Sequence, residues 1–314
     1  MKITIVSYDN WGLNEHLKNS LEQKGHIVRH INFYEFKYKY PNFRTKLYNF
    51  ILKTFFNKNI KNIYYGNQVL KKLGENPEMQ DAILTLKGDF IDPRAIRKFK
   101  KYTKKSIAYF NDSISRYPKI KEVLHCFDEV YSFEKNDCRK NNLKFITNWI
   151  YPMQANNTSP EKYQVYNISS KDKRTAVLSK IAIHLKEKKI NYRIIIFHKK
   201  NKIKDSNLEF TSVPIPLSEV NDNLYNSQIL LDINRKGQNG LSFRVFESIF
   251  LEKKLITTNT DIKNYDFYNP NNILIIDEKK PEITLDFFST AYKKIPEVIF
   301  QKYTLDQWIN DVFY

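Results

Sequence analysis

Cysteine, glycine, acidic side chains and long apolar runs are all scarce in this chain, and each shortage narrows what the protein can be. Only two cysteines, Cys126 and Cys138, occur in 314 residues. They form no Cys-x-x-Cys and have no metal-ligand spacing, which excludes a disulfide framework and a zinc site; reduced, structural thiols suit the cytoplasm. No window approaches about eighteen uninterrupted apolar residues, so no spanning helix is expected. The opening MKITIVSYDN has one basic residue and a short apolar run, with no A-x-A-like cleavage site after it. It reads as a buried strand rather than a signal peptide. Glycine falls to seven residues while tyrosine reaches 21. With the Lys, Asn and Ile richness this resembles AT-biased coding as much as selection, so part of the lysine excess is discounted.

What is present is enough for buried cores. The chain is 41% hydrophobic and 27% charged, and its length is comfortable for two domains. Acidic residues number 34 against 52 basic ones, a formal net charge of +18. The imbalance is concentrated in residues 1–150, which hold 28 Lys and Arg against 15 Asp and Glu. An uneven basic surface suits nucleic acid, an anionic leaflet or phosphorylated substrates, or is a solvated lysine face.

Strand and helix signals alternate. KITIVS (2–7) reads as a strand, Tyr8–Gly12 as a loop, Asn14–Lys24 as a helix stopped by Gly25, and HIVRHINF as a second strand. This βαβ opening begins a doubly wound sheet. Residues 42–73 form an aromatic, basic helical region broken near Asn57–Asn59. Strands are expected at 82–88, 106–112, 129–133 and 143–149, with helices over PRAIRKFKKYTKK and YPKIKEVLHCF. YPMQANNTSP (151–160) reads as a linker. A second series follows: a helix over RTAVLSKIAIHLKEKKI, a buried strand at 192–198, and an edge-like strand in LEFTSVPI. Strands at 228–233, 254–259 and 272–277 and a last helix, TLDQWINDVF, complete it. No internal repeat is present.

The richest stretch is Ser227–Asp277. It reads as strand, polar loop, helix, strand, loop, strand, and its first loop holds Gly237 and Gly240 before a helix carrying Arg244 and Glu247. Such a junction offers unpaired N–H groups and a positive dipole end to an anion such as a diphosphate. Arg244 supplies a charged fork for phosphate, and Glu247 an acceptor for sugar hydroxyls. Their plain alternatives are a surface ion pair and a solvated helical Glu.

The order QILLDI, Gln238, Gly240-Leu241, Arg244, Glu247, KLITTN and YDFYNPNNI resembles the donor-binding half of bacterial GT-B glycosyltransferases. The closest likeness is to enzymes that build lipopolysaccharide and capsule, with a group 1-like donor domain, and to the related spore-maturation-type transferases. AYFNDSISRYPKI and CFDEVYSFEKNDCRKNNLKF are also similar to that group. The resemblance implies an α/β GT-B-like fold, two Rossmann-like doubly wound domains facing a central cleft. It implies an acceptor domain over 1–152, a nucleotide-sugar domain over 160–298, and a C-terminal helix (299–314) packing back on the first. The implied activity is transfer of a sugar from a nucleotide-sugar donor to a cell-surface glycan, free or lipid-linked.

In that family Glu247 would hold the ribose and Arg244 the phosphates. Gln238, Asn239, Gly240 and Ser242 would place donors near the diphosphate or sugar. His198 and Lys199, followed by Lys200, would contact phosphate or base. Many retaining members carry Glu-x7-Glu ending at the ribose-binding Glu, but the corresponding position here is Asn239, which favours inversion. Inversion needs a general base for the acceptor hydroxyl. Asp9, just past the first strand, and Asp112 in FNDS are the candidates; each has the alternative of capping a turn. His16 is a weaker candidate. Lys87, Asn10 and Trp11 would contact acceptor or phosphate. No Asp-x-Asp occurs, so no metal and no cofactor are expected, the nucleotide-sugar being a substrate.

The aromatic basic region 33–65 places Leu47, Phe50, Ile51 and Phe55 on one helical face, with Lys46, Lys53 and Lys58 elsewhere. It suits a helix on an anionic leaflet or, equally, a core-facing helix with a solvated lysine face. The protein is expected to be cytoplasmic, with room for peripheral contact on the inner membrane face. The same features admit a nucleic-acid-binding protein, although no RNP, KH or helix-turn-helix signature occurs and no nucleic-acid partner is expected. A third reading is a non-catalytic GT-B relative that binds glycan or nucleotide.

Overall fold

The computed structural model describes residues 1–10, 12–156, 161–199 and 205–314. Backbone contacts divide the chain into two compact units, Met1–Ile146 and Thr147–Tyr314.

The first unit is a parallel sheet of β1 (Lys2–Ser7), β2 (Ile27–Asn32), β3 (Gln80–Leu86), β4 (Thr103–Phe110), β5 (Glu129–Ser132) and β6 (Lys144–Phe145), in the order β2-β1-β3-β4-β5-β6. Helices on both faces bury β1, β3 and β4 almost completely, which is why these strands read as apolar runs rather than alternating ones. Val6, Phe33, Val69, Ile83, Phe99 and Phe110 belong to one core. The helix Ile60–Glu75 approaches Pro93–Arg97 so closely that a Cβ on Gly66 would stand 2.5 Å from Ala95 Cβ. Only glycine fits there.

The second unit is also a six-stranded parallel sheet: β7 (Tyr163–Ser170), β8 (Tyr192–Phe197), β9 (Glu209–Thr211), β10 (Ser227–Asp232), β11 (Lys254–Thr257) and β12 (Ile273–Ile275). Its order is β12-β11-β10-β7-β8-β9. Numbered from its own first strand this is 3-2-1-4-5-6, the order of dinucleotide-binding sheets. Val165, Ile181, Ile196, Leu231 and Ile256 form its core.

Several sequence expectations change. Of the strand expected at 143–149, only Lys144–Phe145 pairs. PRAIRKFKKYTKK is a five-residue helix, Pro93–Arg97, and a 3₁₀ turn, because its last residues already belong to β4. YPKIKEVLHCF makes two short turns, Ile120–Val123 and Leu124–Cys126. The sequence reading missed β7 altogether. Gln164, Asn167 and two serines disguise it, yet it is central: Asn167 is buried and donates to Leu231 O at 2.7 Å. The terminal helix Leu305–Phe313 packs on residues just before the expected linker: Leu305 N donates to Ile150 O at 3.0 Å and Trp308 lies 4.6 Å from Trp149 between ring centroids, backbone contacts grouping both segments in the second unit.

Candidate functional site

In an open parallel sheet, ligands bind beyond the carboxyl ends of the strands where the order reverses. In the second unit that point lies between β7 and β10, so the loops after Ser170 and after Asp232 form its walls. Arg174 binds both: its guanidinium grips Asp172 at 2.8–3.0 Å and donates to Ile233 O at 3.2 Å. Arg235 reaches the same Asp172 at 3.4 Å. Burial alone would raise the Asp172 carboxyl, but the Arg174 fork leaves it below the ordinary carboxylate range. Thr175 Oγ1 and Asn234 Oδ1 are buried there with no hydrogen-bond partner among the described residues.

The loop Ile233–Ser242 is shaped by its own polar groups. Gly237 takes φ +78°, a turn that favours glycine. Asn234 Nδ2 donates to Gln238 O, and Gln238 Nε2 to Gly240 O at 3.1 Å. Asn259 Nδ2 holds Asn239 O at 3.0 Å, and Asn148 Nδ2 holds Leu241 O at 2.8 Å. The side-chain amide of Gln238 thus braces the loop. The loop feeds the helix Phe243–Phe250, whose N-cap Ser242 makes no side-chain capping bond. Its Oγ donates instead to Asp232 Oδ1 at 2.9 Å, leaving the first helical turn without a side-chain cap and suited to an anion. Burial raises the Asp232 carboxyl even with Ser242 and Thr257 beside it.

Inside that helix Arg244 and Glu247 form an ion pair at 2.7 Å, their side chains 13% and 9% exposed. The Tyr151 hydroxyl donates to Glu247 Oε1 at 2.7 Å. Burial, with the Glu247 charge beside it, holds the Tyr151 phenol well above its ordinary pKa, so it stays a donor. His198 and Lys199 follow β8, on the far side of β7 from the loop; His198 N donates to Thr211 O at 2.8 Å, and its buried Nδ1 lacks a hydrogen-bond partner among the described residues.

In the first unit the sheet order reverses between β1 and β3. Tyr8 follows β1 and stacks on Phe90, which follows β3, at 5.0 Å and 10°. Asp9 is buried and starts the helix Asn14–Gln23: its carboxylate accepts from Gly12 N at 2.8 Å and from Asn14 N at 2.7 Å. Asn10 is exposed, and Trp11 lies outside the described residues. His16 feels the Asp9 charge, but burial outweighs it and lowers the imidazole below its ordinary pKa, keeping it neutral.

Lys87 and Asp112, picked separately from the sequence, meet at 3.4 Å because β3 and β4 are neighbours. Arg116 Nη1 also reaches Asp112, at 2.5 Å. Asp89 went unnoticed in the sequence. It is buried, and desolvation pushes its carboxyl up to about 6 despite Lys87 nearby. Tyr151, Arg174 and Arg235 were also missed. Tyr151 sits in what reads as linker, and its partner is 96 residues away. Arg174 had a weak signal, as a cation at the start of a helix. Among the described residues no group of three His, Cys, Asp or Glu is placed to hold a metal ion.

No protein-family model and no curated protein matches the chain. Solved structures do. AviGT4, a glycosyltransferase involved in avilamycin A biosynthesis, aligns over 99% of this chain and 95% of its own, at 9% identity and a TM-score of 0.60. An alpha-glucosyltransferase in complex with UDP and a mismatched 13-mer DNA aligns over 92% and 90%, at 12% identity and 0.54. The catalytic domain of starch synthase IV from Arabidopsis thaliana, bound to ADP and acarbose, aligns over 96% and 93%, at 9% identity and 0.51. The fold is that of the GT-B glycosyltransferases. At these identities the likeness is one of fold. In GT-B terms, Arg244 and Glu247 belong to the second Rossmann-like unit, and Asp9, Lys87 and Asp112 to the first.

Proposed function

We propose that the chain is a cytoplasmic glycosyltransferase that moves a sugar from a nucleotide-activated donor to a cell-surface glycan of the lipopolysaccharide or capsule type. One observation carries this reading. In a 3-2-1-4-5-6 sheet, the loop at the order reversal opens onto a helix without a side-chain cap that bears a buried Arg244–Glu247 pair. The donor diphosphate would meet the first-turn N–H groups and Arg244, with Arg174 and Arg235 adding charge. Glu247, oriented by Tyr151, would accept from ribose hydroxyls. These cations and the helix dipole would carry the leaving-group charge without a metal.

We assign the acceptor to the first unit and inversion as the stereochemical course, since position 239 is Asn rather than an acid. The general base is drawn from the segment after β1. His16, neutral at pH 7, takes the acceptor proton, and Asp9 favours the imidazolium that results. Asp112, bound by Arg116 and Lys87, is held in an ion-pair cluster better suited to placing an acceptor phosphate.

Thermal shift with UDP, GDP and CMP, followed by donor hydrolysis or transfer beside Glu247→Ala, tests the reading. A nucleotide-dependent shift that this change abolishes supports it; undiminished activity in the variant removes the site assignment. A second reading, a nucleic-acid partner, is favoured by the basic surplus of residues 1–150. The alpha-glucosyltransferase that shares this fold is itself in complex with DNA, which makes the reading worth testing. Salt-sensitive oligonucleotide binding without a nucleotide shift would select it.

A further inference from the structure

The helix Phe43–Phe55 is built inside out. Its one buried residue is polar: Asn49, 2% exposed, accepts from Ile60 N at 2.8 Å and donates to Tyr40 Oη at 2.6 Å. Its large apolar side chains lie outside. Phe43 and Phe55 are 74% and 75% exposed, and Leu47, Tyr48, Phe50 and Ile51 are exposed with them. At 3.6 residues per turn these six fall within an arc of about 160°, opposite the edge formed by Thr45, Asn49 and Leu52. Phe56, just past the helix end, extends the patch. A soluble surface rarely leaves so many neighbouring large apolar groups in water without a use for them.

Charge identifies the partner. Between Glu35 and Glu75 the chain carries nine Lys and Arg and not one Asp or Glu. Lys46 and Lys53 lie beyond one edge of the apolar arc, and Arg44 sits within it. We propose that this helix lies in the interface of an anionic lipid bilayer, with its apolar arc among the upper acyl chains and the surrounding cations on the headgroups. A second copy of this face would bring like charges together around the contact. A nucleic-acid duplex would leave the Leu and Ile side chains with nothing apolar to pack on.

The test uses the full chain and sedimentation with vesicles of phosphatidylcholine alone or mixed with phosphatidylglycerol. Binding should need the anionic lipid, fall as salt rises, and weaken by about tenfold or more both in Phe43→Ser/Phe50→Ser/Phe55→Ser and in Lys46→Glu/Lys53→Glu. All five positions are exposed, so melting temperatures should match the parent. In the Phe50→Trp variant, the emission added by the new indole should shift to the blue on anionic vesicles and be quenched by brominated acyl chains. Equal binding to neutral vesicles, full binding by the triple serine variant, or no quenching beyond the parent's in Phe50→Trp overturns the proposal. So does a dimer in lipid-free buffer that the triple variant dissociates. Nucleotide binding reads the transferase site separately and should be the same in all these variants.

Discussion

Tyr151 donates its hydroxyl to Glu247 Oε1 at 2.7 Å, leaving Oε2 to face Arg244 at 2.7 Å. One carboxylate is thereby fixed by a neutral donor on one side and a guanidinium on the other. One turn inside a helix, a carboxylate held in this way is a preorganised hydrogen-bond acceptor.

Removing the donor alone should loosen that carboxylate. Tyr151→Phe is expected to cost about 1–2 kcal/mol in urea unfolding, since it leaves a buried carboxylate oxygen without its hydrogen bond. The thermal shift given by the preferred nucleotide should shrink with it. An undiminished shift would mean that Glu247 orientation does not matter to the ligand.

Breaking the ion pair separates stability from binding. Glu247→Ala strands Arg244 in a mostly buried position and should destabilise by about 3–5 kcal/mol. Replacing both partners, Arg244→Met with Glu247→Leu, should recover most of that loss while nucleotide binding stays absent. Chemical denaturation and calorimetric titration read the two effects independently.

Asp89 makes stability depend on pH. Its carboxyl titrates at about 6 in the folded chain against an ordinary value of 3.8. Below the lower value both states are protonated and no penalty exists. As pH rises the unfolded chain ionises first, so stability falls until the folded-state value is passed, by about 3 kcal/mol in all. Asp89→Asn should therefore gain stability over the parent above pH 6 and match it near pH 3. Urea midpoints across that range decide the point.

Substitutions at Asp9 and His16 should separate stability from turnover. Asp9→Ala removes both acceptors that start the helix Asn14–Gln23 and should cost about 1–2 kcal/mol. His16→Gln should leave the melting temperature nearly unchanged and lower kcat by about a hundredfold or more. Full turnover by His16→Gln would return the base to Asp9 or Asp112.

Both thiols should be silent in the native chain. Cys126 and Cys138 are buried and unpaired, and burial pushes the Cys138 thiol up to about 11. Ellman's reagent at pH 8 should label them at the rate of unfolding, and rapidly in denaturant. Immediate native labelling of either would contradict their burial.

Much of the scaffold was legible locally. KITIVS, AILTL and QILLD announce two-sided burial by unbroken apolar runs, and each is a central or near-central strand. YQVYNISS did not announce itself, because its polar residues are satisfied by groups distant in sequence, as Asn167 is by Leu231. At the candidate site, the loop and helix carrying Gly240, Arg244 and Glu247 were visible as a pattern. Tyr151 and Arg174 were not, since each works through a partner that only the fold brings near.

Periodicity, turn residues and charge bias are properties of neighbours along the chain. They alone determined two parallel α/β units, a polar loop around Gly240 that opens onto a helix, and a basic first half. Which face of the helix Phe43–Phe55 meets water was beyond them, because the pattern of apolar and basic residues is the same whether the arc packs inward or outward. Tertiary structure decided it through one hydrogen-bonded asparagine, Asn49, which turns inward to Ile60 and Tyr40 and leaves the phenylalanines outside.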